Sequence, residues 1–190
     1  VLEHLGNYKD AIKCFDKAID KNPKHSEVLL HKGLALFSIN EYETAIKLFD
    51  QVLTNIPNHI LALFNKGLIF GKLGLNDDAI HCFDKVLSVD ENHTLSLLHK
   101  GLTFTRLKKF NEAILCFNKV LEIEPDNISA LVKKADSLVS LWITNDAIAF
   151  YDKALKISPE NVEALYNKAI SLSSISKYQN AIYCFDKVLE

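Results

Sequence analysis

Residues 26–59 read SEVLLHKGLALFSINEYETAIKLFDQVLTNIPNH, and the order of apolar and polar residues in this stretch decides the fold. In its second half Tyr42, Ala45, Ile46, Phe49, Val52 and Leu53 recur at i, i+3, i+4, i+7, i+10 and i+11. Glu43, Thr44, Lys47, Asp50, Gln51 and Thr54 fill the other side, which is the pattern of a helix buried along one stripe. In the first half Leu29, Gly33 and Leu36 make one stripe and Leu30, Leu34 and Phe37 a second beside it. Only a narrow polar strip is left there, so this helix must be covered on most sides or line a groove. Asn40 stands in the short turn between the halves, where a left-handed or capping residue is favoured. Pro57 stands where it stops the second helix.

The same stretch is repeated along the chain. Ala11, Ala45, Ala79, Ala113, Ala147 and Ala181 recur at one constant interval, the length of the stretch 26–59, and each is followed by Ile. Four residues after each Ala stands an aromatic: Phe15, Phe49, Phe83, Phe117, Tyr151 and Phe185. Pro recurs at 23, 57, 125 and 159, with Glu91 in the place of a fifth, and Gly6 and Gly74 share the turn position of Asn40. One antiparallel helix pair cannot bury its apolar faces alone, so successive pairs stack into an all-α solenoid. The register predicts a partial repeat over 1–25, complete repeats over 26–59, 60–93, 94–127 and 128–161, and a nearly complete one over 162–190, all in a single array.

These residues resemble the tetratricopeptide repeat, a family whose pattern has the same period. Leu29, Lys32, Gly33, Leu36, Ala45, Phe49 and Pro57 form one full set, and the resemblance covers the entire chain. Leu replaces the large aromatic at the start of the first helix, and Ala135 and Ala169 replace the first-helix Gly in the last two repeats. The phrasing Ala-Ile-x-Cys-Phe-Asp-Lys looks like microbial arrays of this family. The resemblance implies a right-handed superhelix whose first-type helices line a concave surface that takes extended peptides or helices. Carried over residue by residue, the lining comprises Leu30, Leu34, Phe37, Phe64, Leu68, Leu98 and Leu102, then Val132, Asp136, Val139, Tyr166 and Ile170. Beside them lie His31, Asn65, His99, Lys133 and Asn167. Chaperone-binding members of the family place a clamp of Lys, Asn and Arg in these slots; here most hold Leu or Phe, which disfavours that reading. Asp136 interrupts a column that is otherwise Leu34, Leu68, Leu102 and Ile170. With Lys133, Tyr166 and Asn167 it makes the one polar spot in the trough, able to orient a ligand or to pair with Lys133.

Composition bounds the function. Of 190 residues 48% are hydrophobic and 24% charged, and 22 basic residues against 24 acidic give a net charge of −2. That balance argues against nucleic acid and membrane surfaces as partners. No apolar stretch approaches a membrane span, and Val1 to Asp10 lack a secretory pattern. With no Met anywhere, the chain is expected to begin inside a longer one.

Cys14, Cys82, Cys116 and Cys184 are separated by multiples of the repeat period and form no CxxC pair. They read as one structural slot in a reduced, cytoplasmic protein. His25, His59 and His93 share a turn column, but equivalent residues of stacked repeats lie about 10 Å apart. Zinc ligands must converge to about 2.0–2.1 Å from the ion, so no metal site is expected, nor any cofactor.

Lys32, Lys66, Lys100, Lys134 and Lys168 follow Asp16, Asp50, Asp84, Asn118 and Asp152 in turn, always at the same spacing. They predict a ladder of structural ion pairs broken at Asn118, the alternative being two solvated columns. Small residues at Gly33 and Ala45 are expected to let two helix axes approach, with the aromatic filling the space beside them. Trp142, in the place of the turn Asn or Gly, is expected to pack into the next repeat, the alternative being an exposed anchor.

No phosphate loop, HExxH or nucleophile elbow is present, so catalysis has no foothold. The sequence therefore points to a non-enzymatic protein-interaction scaffold with a peptide or amphipathic helix in an apolar trough, the alternative being that superhelical curvature buries these side chains against neighbouring helices. A regulatory or substrate-recruiting segment of a larger enzyme is one alternative. A homo-oligomer paired through the trough or uncapped ends is another.

Overall fold

The computed structural model describes residues 7–189, and the turn position of Gly6 lies outside them. Every regular element among the described residues is a helix. The chain divides into two compact units, residues 1–91 and 92–190. The first carries α1 (Tyr8–Lys21), α2 (Ser26–Ser38), α3 (Tyr42–Asn55), α4 (Ile60–Lys72) and α5 (Asn76–Val89). The second carries α6 (Thr94–Arg106), α7 (Phe110–Ile123), α8 (Ile128–Ser140), α9 (Thr144–Ile157), α10 (Val162–Ser174) and α11 (Tyr178–Leu189). Each unit is a stack of helix pairs, in which α2 packs on α3, α4 on α5, α6 on α7, α8 on α9 and α10 on α11. Within a unit the first-type helices also touch, α2 with α4, and α8 with both α6 and α10. This is the all-α solenoid packing that the repeat predicts.

Local chemistry explains the helix ends. The first-type helices begin at His25, His59, His93, Asn127 and Asn161, whose side chains accept a hydrogen bond from the backbone N–H three residues on. The histidine column thus consists of helix caps, with Nδ1 as acceptor. Each of these helices ends in a Schellman turn. At the first, Glu41 N–H donates to the Leu36 carbonyl at 2.9 Å and Asn40 N–H to the Phe37 carbonyl at 3.0 Å. The residue at the bend is left-handed every time: Asn40, Gly74, Lys108, Trp142 and Ser176 have φ between 58° and 76°.

The contact between paired helices differs from the sequence expectation. The aromatic does not fill space beside a small residue; its ring lies directly on the glycine. A Cβ at Gly33 would stand 2.7 Å from Phe49 Cε1, at Gly67 2.7 Å from Phe83 Cε1, and at Gly101 2.6 Å from Phe117 Cε1. Phe49, Phe83 and Phe117 are at most 1% exposed, and Ala45, Ala79 and Ala113 are wholly buried one turn earlier. The cysteine slot is structural as well: Cys82, Cys116 and Cys184 are buried, Leu48 fills the same slot, and Cys14 is exposed. Burial pushes the Cys82 thiol up to about 11 and raises that of Cys184.

The ion-pair ladder forms where it can be followed inside a unit. Lys32 reaches Asp16 at 2.6 Å, Lys66 reaches Asp50 at 2.5 Å, and Lys168 reaches Asp152 at 2.5 Å. The carboxylates are about half exposed, so each rung contributes roughly 0–1 kcal/mol. At the Asn118 break Lys134 lies 3.8 Å from the centroid of the Phe150 ring, a cation–π contact in place of the missing carboxylate.

Candidate functional site

The trough residues separate by depth. In the first unit Leu34, Phe37 and Leu68 are half-buried and His31 is exposed, its ring 6.3 Å from that of Phe15. In the second unit Leu98, His99, Leu102, Lys133, Asp136, Val139 and Asn167 are half-buried, and Tyr166 and Ile170 are 49% and 45% exposed. Leu30, Phe64, Asn65 and Val132 are buried, which corrects the expectation that they line an open surface. Leu30 packs in one cluster with Ala62 and Ile69 of α4, and Val132 in one cluster with Ala164 of α10. The Phe64 ring lies 6.0 Å from that of Phe83, and Asn65 Nδ2 donates to the Leu61 carbonyl at 2.8 Å. These side chains are covered by their surroundings, so they support the surface from below.

The polar spot on α8 is a connected network. Asp136 Oδ1 accepts the Tyr151 phenol at 2.6 Å and Asn167 Nδ2 at 2.9 Å. Lys133 Nζ donates to Asp136 Oδ2 at 3.3 Å and also to Glu163. Burial alone opposes the charge on Lys133, but Glu163 and Asp136 outweigh it and hold the ammonium above its ordinary pKa. Burial, and then the hydrogen bond to Asp136, push the Tyr151 phenol well above its usual range, so it stays a proton donor. Of the expected members, Lys133 and Asn167 reach Asp136, while the Tyr166 ring packs edge-on against Phe185 at 5.9 Å. Tyr151 and Glu163 were missed. The signal for Tyr151 is its hydroxyl in a column otherwise filled by Phe, since a buried phenol needs an acceptor.

Two further expectations resolve at the edges of this surface. Trp142 does not pack into the next repeat: it is 90% exposed on its left-handed turn. His99 is half-buried, and burial followed by the charge of Arg106 lowers its pKa. Among the described residues no cluster of His, Cys, Asp and Glu could hold a metal ion, and no helix is long and apolar enough to cross a membrane.

Comparisons with known proteins agree with the hairpin architecture. Family profiles described as tetratricopeptide repeat match residues 2–60 and 60–93, and that of anaphase-promoting complex, cyclosome, subunit 3 matches residues 106–188. No curated protein matches the sequence. Among solved structures, MamA residues 41 to the end from Desulfovibrio magneticus RS-1 is similar at a TM-score of 0.82 and 19% identity, over 86% of this chain and 93% of that one. A crystal structure of MamA gives a TM-score of 0.78 at 21% identity, over 83% and 92%. YrrB, described as a TPR protein with an unusual peptide-binding site, gives 0.76 at 19% identity, over 92% and 90%. At these identities the likeness is one of fold. With two profiles of one description meeting end to end at residue 60 and the same helix pairs continuing in the second unit, the chain belongs to the tetratricopeptide-repeat family.

Proposed function

We propose that the chain is a non-catalytic protein-interaction scaffold, holding a peptide or an amphipathic helix against the face that first-type helices make within a unit. The observation that carries this reading is the half-exposed apolar row on neighbouring helices. Val139 on α8 and Ile170 on α10 line one cavity and Tyr166 is half-exposed on α10, while Leu34 and Phe37 are half-buried on α2 and Leu68 on the neighbouring α4. Apolar groups at helical spacing on adjoining helices match the i, i+3, i+4 and i+7 anchors of a bound amphipathic segment. Family membership supports the same reading, because stacked pairs create extended binding faces.

The test is a selection of displayed random peptides against the full chain, with binding then measured to Leu68→Glu/Leu102→Glu. Recovered peptides should carry apolar residues at helical spacing and bind the folded double variant at least tenfold more weakly. Undiminished binding to that variant, with its helical content intact, would refute the face as the docking surface.

A further inference from the structure

In the polar network that joins α8, α9 and α10, one carboxylate oxygen keeps room for a second donor. Asp136 Oδ1 is committed to Tyr151 and Asn167, which fix the carboxylate in place. Among the described residues the one donor to Oδ2 is Lys133, at 3.3 Å, and Lys133 is shared with Glu163. A carboxylate oxygen has room for about two donors. The side chain of Asp136 is 25% exposed, and it borders an open cavity of about 240 Å³ lined by Val139, Tyr151, Asn167, Ile170 and Ser171.

A buried phenol requires only a neutral acceptor, which Asn would provide without placing a charge in a half-buried site. Here the acceptor is a carboxylate. Asp136 and Glu163 share the ammonium of Lys133, while Val139 and Ile170 offer apolar walls to an aliphatic stem. Tyr151, Asn167 and Ser171 are neutral. The site therefore complements a group with a cationic end and a hydrocarbon stalk.

We infer that Asp136 Oδ2 anchors a basic side chain, lysine or arginine, of the segment held against α8 and α10. Its stem lies between Val139 and Ile170, and its nitrogen donates to Oδ2 beside Lys133. This subsite deepens the docking reading and rests on it for the identity of the ligand as a peptide.

The probe is n-butylguanidinium, titrated into the full chain and followed by the side-chain amide resonance of Asn167 and the backbone amides of Val139 and Ile170. The neutral comparison is N-butylacetamide. A saturable response to the cation is expected, at least about tenfold stronger than to the neutral compound, as loss of a charge-assisted hydrogen bond implies. Asp136→Asn keeps an acceptor for Tyr151 and should preserve the fold while abolishing that preference. Equal responses to the two compounds, no saturable response, or an unchanged preference in folded Asp136→Asn would overturn the subsite. An amphipathic peptide free of basic residues is titrated in parallel. Its binding without a guanidinium response overturns the cation subsite alone. A guanidinium response without peptide binding supports the subsite and counts against the docking face.

Discussion

Gly67→Ala tests the ring-on-glycine contact directly. The new methyl would stand 2.7 Å from Phe83 Cε1 and 3.1 Å from both Cδ1 and Cζ. Carbon pairs attract best at about 3.5–4.0 Å, so the ring must retreat. Phe83 is 1% exposed, and its retreat drives it into packed neighbours, an overpacking worth about 1–3 kcal/mol. Against this, Ala in place of Gly inside a helix stabilises by about 1 kcal/mol. The net expectation is a loss of about 1 kcal/mol, where propensity alone would give a gain.

Adding Phe83→Leu to Gly67→Ala relieves the clash, so the pair should be coupled favourably by about 1–2 kcal/mol. The reverse swap in the second unit, Ala135→Gly opposite Tyr151, should also destabilise, by about 1 kcal/mol through helix propensity. Opposite substitutions at equivalent positions thus both weaken the protein. Urea unfolding of the full chain, followed by far-ultraviolet circular dichroism, measures all four variants. A stabilised Gly67→Ala that shows no coupling to Phe83→Leu would refute the close-contact account.

Other outcomes follow from the caps, turns and buried groups. His59→Asn should stabilise by about 0.5 kcal/mol, since Asn leads the N-cap ranking; Asn127 and Asn161 accept at 2.9 Å where His59 accepts at 3.3 Å. Ser176→Gly and Trp142→Gly should each raise the urea midpoint by relieving a left-handed residue, about 1 kcal/mol apiece. The folded-state pKa of His99 lies below its ordinary value of 6.5, so the unfolded chain binds the extra proton first. Its stabilising share is complete above pH 6.5 and falls as pH drops below it, and His99→Leu should flatten this part of the stability–pH curve relative to wild type. Iodoacetamide should label exposed Cys14 in the native protein well before Cys82, Cys116 and Cys184, as read by mass spectrometry of timed digests.

The hairpin order was legible because six copies of one pattern make a column speak where a single residue would not. The constant Asp-to-Lys spacing could likewise be read as a ladder, since two antiparallel helices of fixed length set which residues face each other. Depth could not be read in the same way. Leu30 and Leu34 are both Leu four residues apart on one helix, yet the first is 4% exposed inside the cluster that includes Ala62 and Ile69 of α4, and the second packs against that cluster only half-buried. Trp142 misled for a related reason: an apolar residue suggests burial, but the Schellman turn places that position outside the stack whatever its side chain. The Tyr151–Asp136 bond joins departures from two separate columns; Asp136 stands out in its own column, but nothing in that column points to Tyr151 as its partner.

The exposure of Trp142 has a spectroscopic consequence. As the chain's single indole, already bathed in water at the tip of its bend, it should emit at nearly the same wavelength in the folded and the urea-denatured protein. Fluorescence will therefore be a poor thermometer of unfolding. It will be a sensitive witness to anything that comes to rest on the bend between α8 and α9, since a blue shift there can arise only from new company around the indole.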